Sequence, residues 1–201
     1  MNQYEQRSKD SYNKKAKRYD LTFDGKFTVK FKEVLYKNIE IKNGDTVADI
    51  ACGNGRFLQK LLEKSSFRGY GVDVSEKMIE QAKKLNPEMK FYVASCDNLP
   101  FTDSQMSIMT VCAAYHHFPE VDKFAKEANR VIKKDGMIYI AEIYLPSLLR
   151  LLFNPFLRFS KAGDVKFYSL NEIKTLFENN GFVVKDFIIV GKVQMIKMQR
   201  I

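Results

Sequence analysis

The sequence predicts an α/β fold: a mostly parallel sheet with helices on both faces and an antiparallel hairpin at its end. Three observations lead there. Short β-branched apolar runs alternate with stretches whose apolar residues recur at helical spacing, from Thr46 to Ile143. The first of these runs passes straight into a helix through the glycine turn Cys52-Gly53-Asn54-Gly55. The last two, Phe182 to Val190 and Val193 to Ile201, flank Gly191-Lys192 as the arms of a hairpin.

Residues 2–20 are polar, with Tyr4, Tyr12, Ala16 and Tyr19 at helical spacings, and read as a loosely held amphipathic helix. Phe23 to Ile41 reads as a second helix striped by Phe27, Phe31, Val34, Leu35 and Ile39, stopped by Asn43-Gly44-Asp45. Thr46 to Ile50 is a buried strand. Gly53 and Gly55 allow positive φ and let a ligand lie against the backbone, and Phe57, Leu58, Leu61 and Leu62 mark the helix that follows.

Gly71-Val72-Asp73 closes a second strand, placing an acid 18 residues after Gly55, where it can accept from both hydroxyls of a ribose. Leu58 stands where a dinucleotide fingerprint needs a third small residue, and no Gly-Lys-Ser or Gly-Lys-Thr exists, so a P-loop is excluded. Ser75 caps a helix through Lys84, with Met78, Ile79 and Ala82 inward. Pro87 separates it from a third strand, Phe91 to Ala94, and Ser95-Cys96-Asp97 lies just beyond.

Ser107 to Ala113 is the fourth strand, leading into Ala114-Tyr115-His116-His117-Phe118. Pro119 starts a helix with Val121, Phe124, Ala125, Ala128, Val131 and Ile132 as its stripe, and Lys133 and Lys134 suit its negative end. Asp135-Gly136 turns into the fifth strand, Met137 to Ile143. Ser169-Leu-Asn-Glu172 is a capping box opening a helix with Ile173, Leu176 and Phe177 inward, ended by Gly181.

At 201 residues this is one domain, and its 45% hydrophobic and 28% charged content is that of a globular protein. No apolar run approaches the roughly 18 residues of a membrane span, and the N-terminus lacks the apolar segment of a signal peptide. The three cysteines, Cys52, Cys96 and Cys112, show no CxxC spacing, so a reducing, cytoplasmic setting is expected. The net charge is +9, and the excess lies in the flanks: 11 Lys/Arg against 6 Asp/Glu in residues 1–42, and 9 against 4 in residues 148–201. Such flanks suit an acidic substrate, RNA or an anionic surface, or are simply solvated lysines.

The segments Asp49-Ile-Ala-Cys-Gly-Asn-Gly55, Gly71-Val-Asp-Val-Ser-Glu-Lys-Met78, Asp97-Asn-Leu-Pro-Phe-Thr-Asp103, Tyr115-His-His-Phe118 and Val131-Ile-Lys-Lys-Asp-Gly-Met137 together resemble the class I S-adenosylmethionine-dependent methyltransferases. The likeness is to their small-molecule branch, which includes the ubiquinone/menaquinone biosynthesis enzymes, and it runs from about Tyr12 to Ile143 in the family's order and spacing. It implies a Rossmann-like, seven-stranded sheet with S-adenosyl-L-methionine as cofactor and S-adenosyl-L-homocysteine as product. It further implies a cofactor-binding set of Tyr19, Asp49, Ala51, Gly53, Gly55, Asp73, Val74, Met78, Cys96, Asp97, Asn98 and Ala113, with Asp97 accepting from the adenine amine. Residues 1–42 correspond to a helical lid, 43–144 to the cofactor core, 145–168 to a substrate-cover insertion and 169–201 to the closing helix and hairpin.

Methyl transfer from a sulfonium is an in-line displacement in which positioning supplies much of the rate. A base is needed only for an acceptor that keeps its proton, and the sole histidines, His116 and His117, follow the fourth strand beside the expected methyl. Either could be that base or a packing element. The cysteines and histidines have no known metal spacing, so no metal is expected. Ala-Ala-Tyr-His-His replaces the Pro-Pro-aromatic motif of adenine-modifying enzymes, and Pro-Cys is absent, so a small-molecule acceptor is expected rather than nucleic acid. An RNA methyltransferase and a non-catalytic regulatory protein of the same fold are the alternatives. Leu148, Leu149, Leu151, Leu152, Phe153, Phe156 and Phe159 read as a cover for an apolar or aromatic acceptor, or as a homodimer interface.

Overall fold

The computed structural model describes residues 2–201. Its sheet has seven strands: β1 (Thr46–Ile50), β2 (Arg68–Asp73), β3 (Lys90–Val93), β4 (Met106–Cys112), β5 (Ile132–Ile143), β6 (Phe182–Val190) and β7 (Val193–Arg200). They lie in the order β3-β2-β1-β4-β5-β7-β6. The first five run parallel, and β7 pairs antiparallel with both β5 and β6. The chain order reverses at β1, with β2 on one side and β4 on the other, and a parallel sheet opens its ligand crevice at such a switch point.

The helices are α1 (Gln3–Lys15), α2 (Phe23–Phe27), α3 (Val29–Asn38), α4 (Arg56–Leu61), α5 (Glu76–Leu85), α6 (Val121–Val131), α7 (Ser147–Phe153) and α8 (Leu170–Glu178). One core joins Phe31, Leu35, Leu58, Leu61, Ile79 and Ala82 of α3, α4 and α5 to one sheet face. The other joins Phe124, Ala128, Val131, Ile173 and Phe177 of α6 and α8 to the opposite face. Each strand of the parallel part is thus covered on both sides, which is why β1 and β4 read as apolar runs rather than alternating ones.

Caps follow the sequence closely. The Ser75 hydroxyl accepts from the Met78 amide at 3.1 Å, and Ser169 and Glu172 form the full capping box. Three boundaries differ from expectation. The segment expected as one helix from Phe23 breaks at Thr28 into α2 and α3, whose hydroxyl donates to the Gly25 carbonyl at 2.9 Å. The α6 helix stops at Val131, so Lys133 and Lys134 lie in the strand. Asp135, at φ 63°, is absorbed inside β5 rather than forming a turn before it.

Residues 145–168 fold as α7 and a 3₁₀ turn at Asn154–Phe159. Not one side chain of either is buried, and none of this segment lines the main cavity.

Candidate active site

The main cavity, about 700 Å³ including its open mouth, lies at the carboxyl ends of β1, β2 and β4 beneath α1 and the 3₁₀ turn Ala16–Leu21. Tyr19, Ala51, Gly53, Asp73, Val74, Met78, Cys96 and Ala113 of the expected cofactor set line it, as does His117. Asp49, Gly55, Asp97, Asn98 and His116 do not.

Each of these absences has a local reason. Asp49 is buried between β1 and β4, its Oδ1 accepting from the Thr110 hydroxyl at 2.7 Å, and burial pushes its carboxyl up to about 7. Gly55 caps α4 at φ 75°, and a Cβ there would meet Asn86 Nδ2 at 2.9 Å and Ala82 Cβ at 3.0 Å, so it serves packing against α5. Asp97 and Asn98 line a neighbouring shallow groove that shares Glu5, Val74 and Ala94 with the cavity. Glu5 of α1, itself buried, stands on the boundary between the two.

At Gly53, φ is 53° and an added Cβ would meet nothing within 4 Å, so the turn leaves free space beside its backbone. Its amide donates to Asp73 Oδ2 at 2.9 Å, and the Ser75 amide donates to Oδ1 at 2.8 Å. Burial pushes the Asp73 carboxyl up to about 6, against these amides, which favour its charge. Each carboxylate oxygen keeps a further lone pair for a hydroxyl donor. Open backbone at Gly53, a fixed acceptor at Asp73 and the apolar wall of Ile50, Val72 and Met78 fit a nucleoside with a ribose diol. Ala51 and Ala113, the residues after β1 and β4, adopt φ of 58° and 51°, and such left-handed alanines cost about 1 kcal/mol each. They turn the chain aside at the point where the two parallel strands would otherwise close the cavity floor.

The N-terminal arm is fastened across the mouth. Asn13 Oδ1 accepts from the Ser75 hydroxyl at 2.7 Å and the Lys77 amide at 3.1 Å, and Lys9 pairs with Glu76. Asp20 accepts from Asn54 at 3.1 Å and from Arg56 at 2.5 Å. Tyr12 and Tyr19 reach into the cavity, and the Tyr12 hydroxyl lies 3.1 Å from His117 Nε2. Glu5, Ser8, Phe118 and Pro119 also line it, and the expected set lacked all four.

The two histidines have different surroundings. His116 is buried, its Nδ1 donating to Glu142 Oε1 at 2.8 Å while Glu142 Oε2 accepts from the His116 amide at 3.1 Å. Burial opposes charge on both groups, but their mutual attraction prevails: His116 is held above its ordinary pKa and Glu142 below. Asp164 Oδ1 lies 3.5 Å from His116 Nε2 and 3.3 Å from His117 Nδ1, although that last nitrogen makes no well-formed hydrogen bond. Burial, reinforced by the charge of His116, holds His117 well below its ordinary value, so its ring is neutral. The ligand-type atoms of His116, His117 and Asp164 lie within 4.8 Å of one another and could together hold a cation. Sequence spacing had no means of finding this, since Asp164 arrives from 47 residues downstream of His117. Glu142 did leave a signal: it is a lone acid inside the apolar run Ile138 to Ile143.

A fixed acid at the end of β2, a glycine turn at a sheet switch point and a tyrosine-bearing arm are the geometry of a Rossmann-like, nucleoside-binding fold. Residues 48–140 match the family model described as a methyltransferase domain. Residues 48–140 carry a methyltransferase domain, for which S-adenosylmethionine is the cofactor. It is similar to a demethylmenaquinone methyltransferase of Lactobacillus johnsonii, at 27% identity over 76% of this chain and 73% of that protein. It is also similar to a ubiquinone/menaquinone biosynthesis C-methyltransferase of Rickettsia bellii, at 32% identity over 63% of this chain. The chain spans only 52% of that relative's length. Among solved structures, the complex of the Haloferax volcanii Trm112 methyltransferase activator with a methyltransferase shares the fold at a TM-score of 0.83. Identity there is 18%, over 96% of this chain and 97% of that one.

Proposed function

We propose that the protein transfers the methyl group of S-adenosylmethionine to a small apolar or aromatic acceptor. The observation that carries this is one continuous cavity running from Asp73 at the end of β2 to His117 and Phe118 after β4, walled mainly by apolar side chains. Two relatives named for quinone-pathway methylation support an acceptor of that chemistry. When bound, S-adenosylmethionine supplies an electrophilic methyl on a sulfonium. Asp73 holds the ribose, the Gly53 turn admits the chain to close approach, and the arm with Tyr12 and Tyr19 excludes water. The test is incubation with methyl-labelled cofactor and fractionated metabolite extract. Label in an apolar small-molecule fraction is expected; label only in RNA, or none at all, overturns the reading.

His117 is the histidine placed to take a proton from the acceptor, because it faces the cavity and is neutral. The His117→Ala variant is expected to keep S-adenosylhomocysteine affinity and lose turnover by roughly 10²–10⁴-fold. Since its ring is held neutral well below the ordinary value, the wild-type rate at saturating S-adenosylmethionine should stay flat as pH falls through about 6.5. A saturated rate that halves there, or a variant at full turnover, removes His117 from the chemistry.

The arm is fastened by polar contacts and little buried apolar surface: α1 buries only Glu5 and Ser8, and the turn after it only Ala16 and Tyr19. Segments held this way open at low free-energy cost. We expect amide exchange across residues 2–20 to slow when S-adenosylhomocysteine is added, measured by mass spectrometry. Equal exchange in the two states would make the arm a fixed wall.

A further inference from the structure

We propose that α7 and the turn after it form a docking surface for anionic lipid bilayers. Leu148 is 75% exposed, Leu151 74%, Phe156 63% and Phe159 69%, and Leu152 and Phe153 are exposed beside them. With Leu149, seven large apolar side chains of this run face water, which marks an interaction site, not a stabilising one. None of them covers the main cavity, so substrate enclosure does not account for them.

Charge decides what covers this surface. Within residues 145–168 the basic residues are Arg150, Arg158, Lys161 and Lys166, while the one acid, Asp164, is turned inward toward the histidines. The apolar ridge runs directly into a basic groove, where Arg7, Lys14, Lys15, Arg158 and Lys161 surround Phe159, with Asp10 the one acid lining it. The Arg158 guanidinium sits 4.8 Å from the centre of the Phe159 ring, and Arg7 donates to the Arg158 carbonyl at 2.9 Å, so ridge and groove form one surface. Lys15 pairs with Asp24 and Lys166 with Glu172, while Arg7, Lys14, Arg150, Arg158 and Lys161 still outnumber the one outward acid, Asp10. Leucine and phenylalanine beside arginine and lysine is the pattern of a segment lying in a bilayer interface, apolar groups at the acyl boundary and cations at the phosphates. No described helix is long and apolar enough to cross a membrane, so the attachment is peripheral. A surface that docked a second copy of this chain would bring these like charges together, which a self-complementary interface disfavours. The inference does not depend on which acceptor is methylated.

The experiment is co-sedimentation of the full chain with vesicles of phosphatidylcholine alone or with roughly one-third phosphatidylglycerol. Wild type is expected to pellet at least about tenfold more with the anionic vesicles, and to be released by about 0.5 M salt. Leu151→Glu with Phe156→Glu, and separately Arg158→Glu with Lys161→Glu, should each lower the bound fraction about tenfold while leaving S-adenosylhomocysteine affinity intact. The protein has no tryptophan, so Leu151→Trp gives a second readout that needs no loss of binding: its emission should shift blue only with anionic vesicles. Failure to pellet with a silent tryptophan overturns the proposal. So does a wild-type dimer in light scattering that dissociates on Leu151→Glu without any vesicle binding, which assigns the surface to a second copy.

Discussion

Replacing Asp73 with alanine is expected to weaken S-adenosylhomocysteine binding by about 2–4 kcal/mol, roughly 30- to 1,000-fold. Asp73 is the one carboxylate lining the cavity at the end of β2, and two backbone amides fix its oxygens in place. Its loss removes a charge-assisted acceptor from a buried diol and leaves the Gly53 and Ser75 amides unpaired as well. Titration calorimetry at pH 8 measures this directly. The pH profile adds a second signature. Burial raises the Asp73 carboxyl from 3.8 to about 6, and only its ionised form accepts from two hydroxyls, so wild-type affinity should fall as pH drops through about 6. The variant should show no such step. Unchanged affinity in Asp73→Ala would falsify its assignment to the ribose.

The other large effect concerns stability. Glu142→Ala leaves the buried His116 without its carboxylate, and breaking one side of a buried pair costs about 3–5 kcal/mol. For a chain of this length that lowers the melting temperature by roughly 6–20 °C. The sign of the pH dependence follows from the two shifts. His116 is raised above 6.5, so its contribution is full below that value and is lost as pH rises through the folded-state pKa. Glu142 is lowered below 4.5, so its contribution is full above that value and is lost as pH falls through the folded-state pKa. The pair therefore stabilises most between about 4.5 and 6.5, and the gap in melting temperature between wild type and Glu142→Gln should narrow as pH rises toward 9. A gap that widens at alkaline pH would mean that His116 is neutral in the folded protein.

The strand–turn–helix at Thr46 to Phe57 was legible because its signals are local: β-branched residues, two glycines, then helical spacing. The same holds for the Ser75 cap, the Ser169 capping box and the closing hairpin. Asp73 and the histidines were legible as candidates because they follow the ends of strands. What separates His117 from His116 was not, since Glu142 sits in β5 and Asp164 beyond α7, and only the tertiary fold brings Glu142 to His116 and Asp164 between the two rings. Gly55 packs against Ala82 and Asn86 and does not line the cavity, and in sequence a glycine needed for packing looks the same as one that admits a ligand. The segment 145–168 was legible only as apolar: such composition records that a surface avoids water, and it carries no direction toward the cavity or away from it.

The fastening of the N-terminal arm bears on the order in which the molecule assembles. Tyr12 meets His117 across 105 residues of chain, whereas the strands of the sheet that receives it pair across 62 at most. Long loop closures come late because their entropy is spent before any contact repays it. On the ribosome the arm is made before the sheet and must wait, with its tyrosines in water, until the turn carrying His117 has been made and β4 has joined β1. The segment that closes the cavity is thus made before the sheet beneath it and finds its place after it.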